Sequence, residues 1–90
     1  MAEPSEHSFG LEIGVVVDYL TRVGVAVIDV ANGTLKTGDA IWIKGHTTDL
    51  KQTVDSMQLD RAPVIEAKGG QQVAIKVQSR VRRHDRVYKL

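Results

Sequence analysis

Ninety residues can build one small hydrophobic core and leave no room for a second, catalytic domain within the chain. The apolar fraction of 42 % is dominated by valine and isoleucine, types that suit a pleated, half-buried surface, and the absence of cysteine excludes a disulfide framework and a thiolate metal site. The net charge of +1 conceals an uneven distribution: Glu3, Glu6 and Glu12 make the start acidic, whereas Lys76, Arg80, Arg82, Arg83, Arg86 and Lys89 face only Asp85 near the end.

Residues 1–10 (MAEPSEHSFG) mix Pro, Ser, Gly and Glu around a single phenylalanine and are expected to form a flexible tail, with residues 11–90 forming the domain. The tail carries no apolar run of signal-peptide type, and no stretch approaches the roughly 20 apolar residues that cross a bilayer. A cytoplasmic chain without membrane contact is expected. From Leu11 to Tyr19, the set Leu11, Ile13, Val15, Val17 and Tyr19 alternates with Glu12, Gly14, Val16 and Asp18, the period-two signature of a strand with one apolar face. Thr21-Arg22 makes a turn. Gly24 to Val30 (GVAVIDV) is apolar at almost every position, so both faces of that second strand are expected to be covered.

The next stretch, VANGTLKTGDAIWI, holds one strand end, two tight turns and the start of a third strand. Asn32-Gly33 and Gly38-Asp39 supply residue types that tolerate positive φ. Leu35 is the only large apolar side chain between them and is expected to fold inward as a plug at one end of the core. Ala40 to Ile43 then places Ile41 and Ile43 on one face and Trp42 on the other, where it is expected to pack beneath the Arg61 to Gly70 loop, the alternatives being to stack on a base or to contact a protein partner. After the polar Lys44 to Thr48, a fourth strand runs from Asp49 to Leu59. Its apolar parity changes between Val54 and Met57, which predicts a β-bulge near Asp55-Ser56. Arg61 to Gly70 reads as a loop, Gln72 to Val77 as a fifth strand, Arg80 to Asp85 as a charged connection and Arg86 to Leu90 as a short last strand. Six short strands spaced by turns, with no helix-period segment, predict an all-β domain, an antiparallel barrel or sandwich, with a closed barrel preferred because it exposes no edge and a small closed core is easier to fill.

Gly33-Thr34-Leu35-Lys36-Thr37-Gly38-Asp39, followed by Ile41 and Ile43, resembles the Gly-x-Leu-Lys-x-Gly-Asp signature of the second domain of translational GTPases such as elongation factor Tu. Val54 to Leu59, Ala67 to Gly70 and Val73 to Val77 continue the match, and Arg83-His84-Asp85-Arg86-Val87-Tyr88-Lys89 is similar to the end of the barrel appended to collagenase-like peptidases. The chain departs from the pattern at Gly70-Gln71 and His84-Asp85, where Gly-Asp is frequent, leaving the shape of those two turns open. No Gly-x-x-x-x-Gly-Lys-Ser/Thr occurs, so GTP binding is not expected. The residues Gly33, Leu35, Gly38 and Asp39 are read as a structural turn motif. The resemblance implies a single six-stranded antiparallel Greek-key β-barrel of the translation-factor second-domain type, a module that in that family contacts the acceptor end of aminoacyl-tRNA and the small ribosomal subunit.

No pattern in the chain reads as catalytic machinery or as a cofactor site. His7, His46 and His84 are scattered, without the convergence a metal site needs. The aspartates sit mostly at predicted turns and strand ends, and Ser56 and Ser79 have no adjacent base. The candidate site is the basic segment. Arg80, Arg82 and Arg83 share one predicted exposed loop, with Arg86 just beyond, and guanidinium forks in such a cluster suit phosphate groups. The alternative is a solvated loop neutralised by Asp85 and by the acidic first strand. Two non-enzymatic functions stay open, a module binding tRNA, ribosomal RNA or the ribosome, and a protein-interaction module that docks on a separately encoded enzyme such as a collagenase-like peptidase; a small enzyme with a composite site formed between subunits is the third possibility.

Overall fold

The computed structural model describes residues 11–90, and the expected tail at 1–10 lies outside the described residues. Ten strands replace the six expected: β1 (Leu11–Leu20), β2 (Val25–Val30), β3 (Thr34–Lys36), β4 (Ala40–Lys44), β5 (Asp49–Thr53), β6 (Met57–Leu59), β7 (Ala62–Val64), β8 (Glu66–Lys68), β9 (Gln72–Lys76) and β10 (Arg86–Lys89). All pairings are antiparallel. Eight strands form one sheet in the order β5-β4-β10-β1-β2-β9-β6-β7, and β3 and β8 form a second of two strands. The fold is all-β, but the large sheet curls into a half-barrel with β5 and β7 at its edges and does not close as six strands. The chain leaves β4 at the end of β5 and re-pairs with β9 through β6, so the order never returns to its starting strand.

The interior is filled by branched aliphatic side chains, among them Ile13, Ile28, Leu35, Ile41, Ile43 and Ile75, and Tyr19 and Val64 pack against its rim. The alternation predicted for β1 does not hold along its length. Ile13 and Val16 are the β1 side chains in the core, and Leu11 is 65 % exposed. Two register shifts explain this: one between Glu12 and Gly14 against β10, the other between Val16 and Asp18 against β2. Each extra residue moves the side chains beyond it to the opposite face. Gly14 lies between the shifts, where a Cβ would collide with the carbonyl oxygen of Asp29.

The parity change between Val54 and Met57 is real, since Leu50, Gln52, Val54 and Met57 are all buried. It is a corner between two strands rather than a bulge inside one, as residues 54–56 carry no strand pairing. The segment read as a loop from Arg61 to Gly70 holds β7 and β8. Asp60 and Arg61, at φ 52° and 68°, close a two-residue hairpin between Leu59 and Ala62, the positive pair that a type I′ turn requires. Pro63 lies on β7, an edge strand, where a missing N–H costs no ladder bond. Leu35 is fully buried, as expected, and its strand β3 pairs with β8 at Leu35 opposite Ala67.

Three turns share one hydrogen-bond pattern. In Lys36-Thr37-Gly38-Asp39 the Lys36 N–H donates to Asp39 Oδ2 at 2.8 Å and the Asp39 N–H returns to the Lys36 carbonyl at 3.1 Å. Lys68-Gly69-Gly70-Gln71 repeats this with Gln71 Oε1 at 2.8 Å, and Arg82-Arg83-His84-Asp85 with Asp85 Oδ2 at 2.8 Å. The third residue has positive φ in each: Gly38 at 92°, Gly70 at 93° and His84 at 77°. That is the sign type II turns need. The two departures from Gly-Asp therefore keep the turn: glutamine reaches the same N–H with a longer side chain, and histidine accepts the left-handed backbone.

Candidate binding surface

Val77 ends the run from β9, and the chain then crosses to β10 through the arginine segment. Val81 points inward and is 1 % exposed, so the flanking Arg80 and Arg82 point outward. The segment is tied to β1 at a register shift: the His84 N–H donates to the Val16 carbonyl at 2.8 Å, and the Val16 N–H to the Asp85 carbonyl at 2.8 Å. Asp85, which the solvated-loop alternative has partly neutralising the arginines, forms no ion pair with them among the described residues. Its carboxylate is buried, takes the Arg82 N–H and lies against Gly45, where a Cβ would displace it.

The acidic first strand, the other charge source in that alternative, supplies the carboxylates. Arg83 Nη2 lies 3.4 Å from Asp18 Oδ1, and Arg86 Nη1 lies 2.8 Å from Glu12 Oε2. Arg80, Arg82 and Arg83 line one hollow of 270 Å³ with Asp18, Tyr19, Thr21 and Val81. Arg86 lies on β10 and outside that hollow, so the structure brings three of the four candidate arginines together. Among the described residues no carboxylate pairs with Arg80 or Arg82. Besides its turn bond, Asp39 pairs with Lys89 Nζ at 3.2 Å, and the same ammonium donates to the Thr34 carbonyl at 2.9 Å. The motif thereby ties β10 to β3.

A second surface was hidden in the apolar run of GVAVIDV. Ala26, Ile28 and Val30 enter the core, while Val25 and Val27 lie half-buried on the outer face. With Leu20, Val23 and Ala74 they line a hollow of 340 Å³ rimmed by Gln58, Asp60, Arg61 and Gln72. Leu20 and Val23 are 43 % and 53 % exposed. The expectation that both faces of this strand are covered holds in part: the inner face is in the core, and Val25 and Val27 on the outer face are only half-buried among the described residues. The double parity of apolar residues in the sequence was the signal for such a face.

Trp42 lines neither hollow and lies on the face of β4 opposite Ile41 and Ile43. Its Nε1–H donates to Asp49 Oδ1 at 2.5 Å, and Lys51 Nζ stands 4.7 Å from the ring centroid, within cation–π range. Among the described residues, no group of three or more His, Asp or Glu is placed to hold a metal, and His7 is outside them. No helix of the described residues is long and apolar enough to cross a membrane.

No family model matches the chain. It is 43 % identical over 81 residues to an uncharacterized protease of Methanocaldococcus jannaschii and 35 % identical over 78 residues to a collagenase of Porphyromonas gingivalis. Those alignments take in 89 % and 86 % of this chain but 20 % and 22 % of the relatives, so the chain spans about a fifth of the length of the curated relatives it matches. In structure it resembles the C-terminal domain of a Geobacillus thermoleovorans U32 peptidase, with a TM-score of 0.82 at 19 % identity over 89 % of this chain and 92 % of that one. It also resembles a bacterial selenocysteine-specific elongation factor, with a TM-score of 0.71 at 20 % identity over 90 % of this chain and 15 % of that one. The structural likenesses are likenesses of fold. Both resemblances carried by the sequence motifs, to the translation-factor barrel and to the peptidase barrel, are present in the structure.

Proposed function

We propose that this chain is a non-enzymatic docking module of the kind carried by collagenase-like peptidases, and that it binds the remainder of such an enzyme through the outer face of β2 and β9. The aliphatic hollow lined by Leu20, Val23, Val25, Val27 and Ala74 carries the reading, because contiguous apolar surface left on the outside of a folded domain marks an interaction site. The alignment with about a fifth of two protease relatives supports the class of partner. The test is co-purification of the chain with the part of the Methanocaldococcus jannaschii protease outside the matched segment. A complex that survives high salt, and is lost when Leu20→Lys and Val23→Lys are combined, is expected. No complex with the parent, or one indifferent to the two lysines, overturns the reading. Both substituted positions are already exposed, so the fold should survive the change.

A second reading comes from the arginine hollow. Arg80, Arg82 and Arg83, with Arg86 beyond them, form a candidate phosphate surface, and the translation-factor likeness supports tRNA, ribosomal RNA or the ribosome as its target in the cytoplasm. The salt dependence of RNA binding is the measurement that decides.

A further inference from the structure

The aliphatic hollow and the arginine hollow meet along the end of β1. Asp18, which lines the arginine hollow, stands directly opposite Val27 across the β1–β2 ladder, and Val27 lines the aliphatic one. Leu20 and Thr21 are consecutive residues on the two sides of the same boundary. The result is one continuous surface, aliphatic over β2 and β9 and cationic over residues 80–83. The cationic part holds three guanidinium groups against the single carboxylate of Asp18, and Arg80 and Arg82 have no carboxylate partner among the described residues.

We infer that this surface takes a segment of a partner polypeptide in which aliphatic side chains are followed by acidic ones. The inference rests on the docking reading and names the chemistry of the segment. Aliphatic side chains on the partner would cover Val25, Val27 and Ala74, and its carboxylates would meet Arg80 and Arg82 in bidentate geometry. RNA fits the same surface less well. Bases bind by stacking on aromatic faces, whereas the half of this surface over β2 and β9 is aliphatic and Tyr19, the one aromatic side chain lining the arginine hollow, packs against the core. The segment lies across the sheet face and does not add a strand at the β7 edge, where Pro63 offers no N–H to a new ladder.

The experiment is an amide chemical-shift titration of the full chain with three probes: a synthetic peptide of leucines followed by glutamates, its counterpart with lysine for glutamate, and a short polyuridine RNA. Only the leucine–glutamate peptide is expected to shift the amides of Leu20, Val27, Ala74 and Arg82 together. Combining Arg80→Glu with Arg82→Glu should weaken its binding at least about tenfold, since like charges then face each other, at an unchanged melting temperature. Equal shifts with the lysine peptide, shifts from RNA, or silence from the leucine–glutamate peptide each overturn the inference. The peptidase segment separates the two claims. If it binds the parent and the double-glutamate variant equally, docking stands and the acidic-segment inference falls. If it binds neither, the docking reading falls and the peptide titration alone decides the inference.

Discussion

The side-chain amide of Gln52 accepts the backbone N–H of Gln78 through Oε1 at 2.8 Å, while its Nε2 donates to the Lys76 carbonyl at 2.9 Å. These two bonds stand where a ladder between β5 and the end of β9 would run if the sheet closed. Gln52 is a buried polar residue on a face otherwise given to Leu50 and Val54, and its Nε2, which carries two N–H donors, also donates to the Thr53 carbonyl at 3.3 Å. Gln52→Leu should therefore destabilise the fold by about 1–3 kcal/mol despite adding apolar surface, because both backbone partners lose their bond. Urea unfolding measures it, and an unchanged midpoint would show that the seam contributes nothing.

Leu35→Ala should cost ~2–5 kcal/mol, the range for truncating a large side chain in a packed core. Leu35 is fully buried between the two turns and pairs through β3 with Ala67, a small residue with little reach to fill the space. The thermal midpoint is the measurement, and stability equal to the parent would contradict the packing.

The contact between Gly45 and the Asp85 carboxylate predicts a non-additive pair. Gly45→Ala puts a methyl group where the carboxylate sits, strips the Arg82 N–H of its acceptor and should cost about 1–3 kcal/mol. In an Asp85→Ala background the same glycine change should cost far less, because the collision is gone. A double-mutant cycle in which the two effects simply add would refute the contact.

The shared turn geometry can be read at the backbone alone. His84 holds a left-handed conformation that costs a side-chain-bearing residue about 1–2 kcal/mol, so His84→Gly should be neutral or stabilising by up to about 1 kcal/mol after the entropy of glycine in the unfolded chain is counted. Gly38→Ala should be destabilising although a Cβ there meets no neighbour within 4 Å. Opposite signs in matched unfolding curves support the common turn. A destabilised His84→Gly variant would count against it.

The RNA reading makes its own prediction. Each phosphate contact to single-stranded RNA contributes a slope of about −0.7 to log K against log salt concentration, so contacts from Arg80, Arg82 and Arg83 should give roughly −2. Arg82→Ala with Arg83→Ala should flatten that slope by about one to one and a half, and the matching lysine variants should keep charge while losing the bidentate fork. Binding of tRNA across a salt series is the measurement, and no binding at low salt removes this reading.

The β class, the turns at Asn32-Gly33 and Gly38-Asp39, the inward Leu35 and the crowding of Arg80, Arg82 and Arg83 were all legible in the residues, because alternation and turn chemistry are properties of neighbours along the chain. What the residues could not specify is how strands pair. The register shifts around Gly14 and Val17 moved Val16 into the core in place of Val15, and they exist only against β10 and β2. The short strands at residues 62–68 carry too little alternation to announce themselves, and β8 is a strand because Leu35 on β3 needs Ala67 across from it. The binding surface divides the same way. Four arginines near the end of the chain and an acidic first strand are visible at once, but which charges meet was decided in space: Asp85, adjacent in sequence, is buried over Gly45, while Asp18 and Glu12 of β1, remote in sequence, meet Arg83 and Arg86. The aliphatic face of β2 likewise stood in the sequence as a run of valines, and only the one-sided burial of a curled sheet decided which of them were left outside.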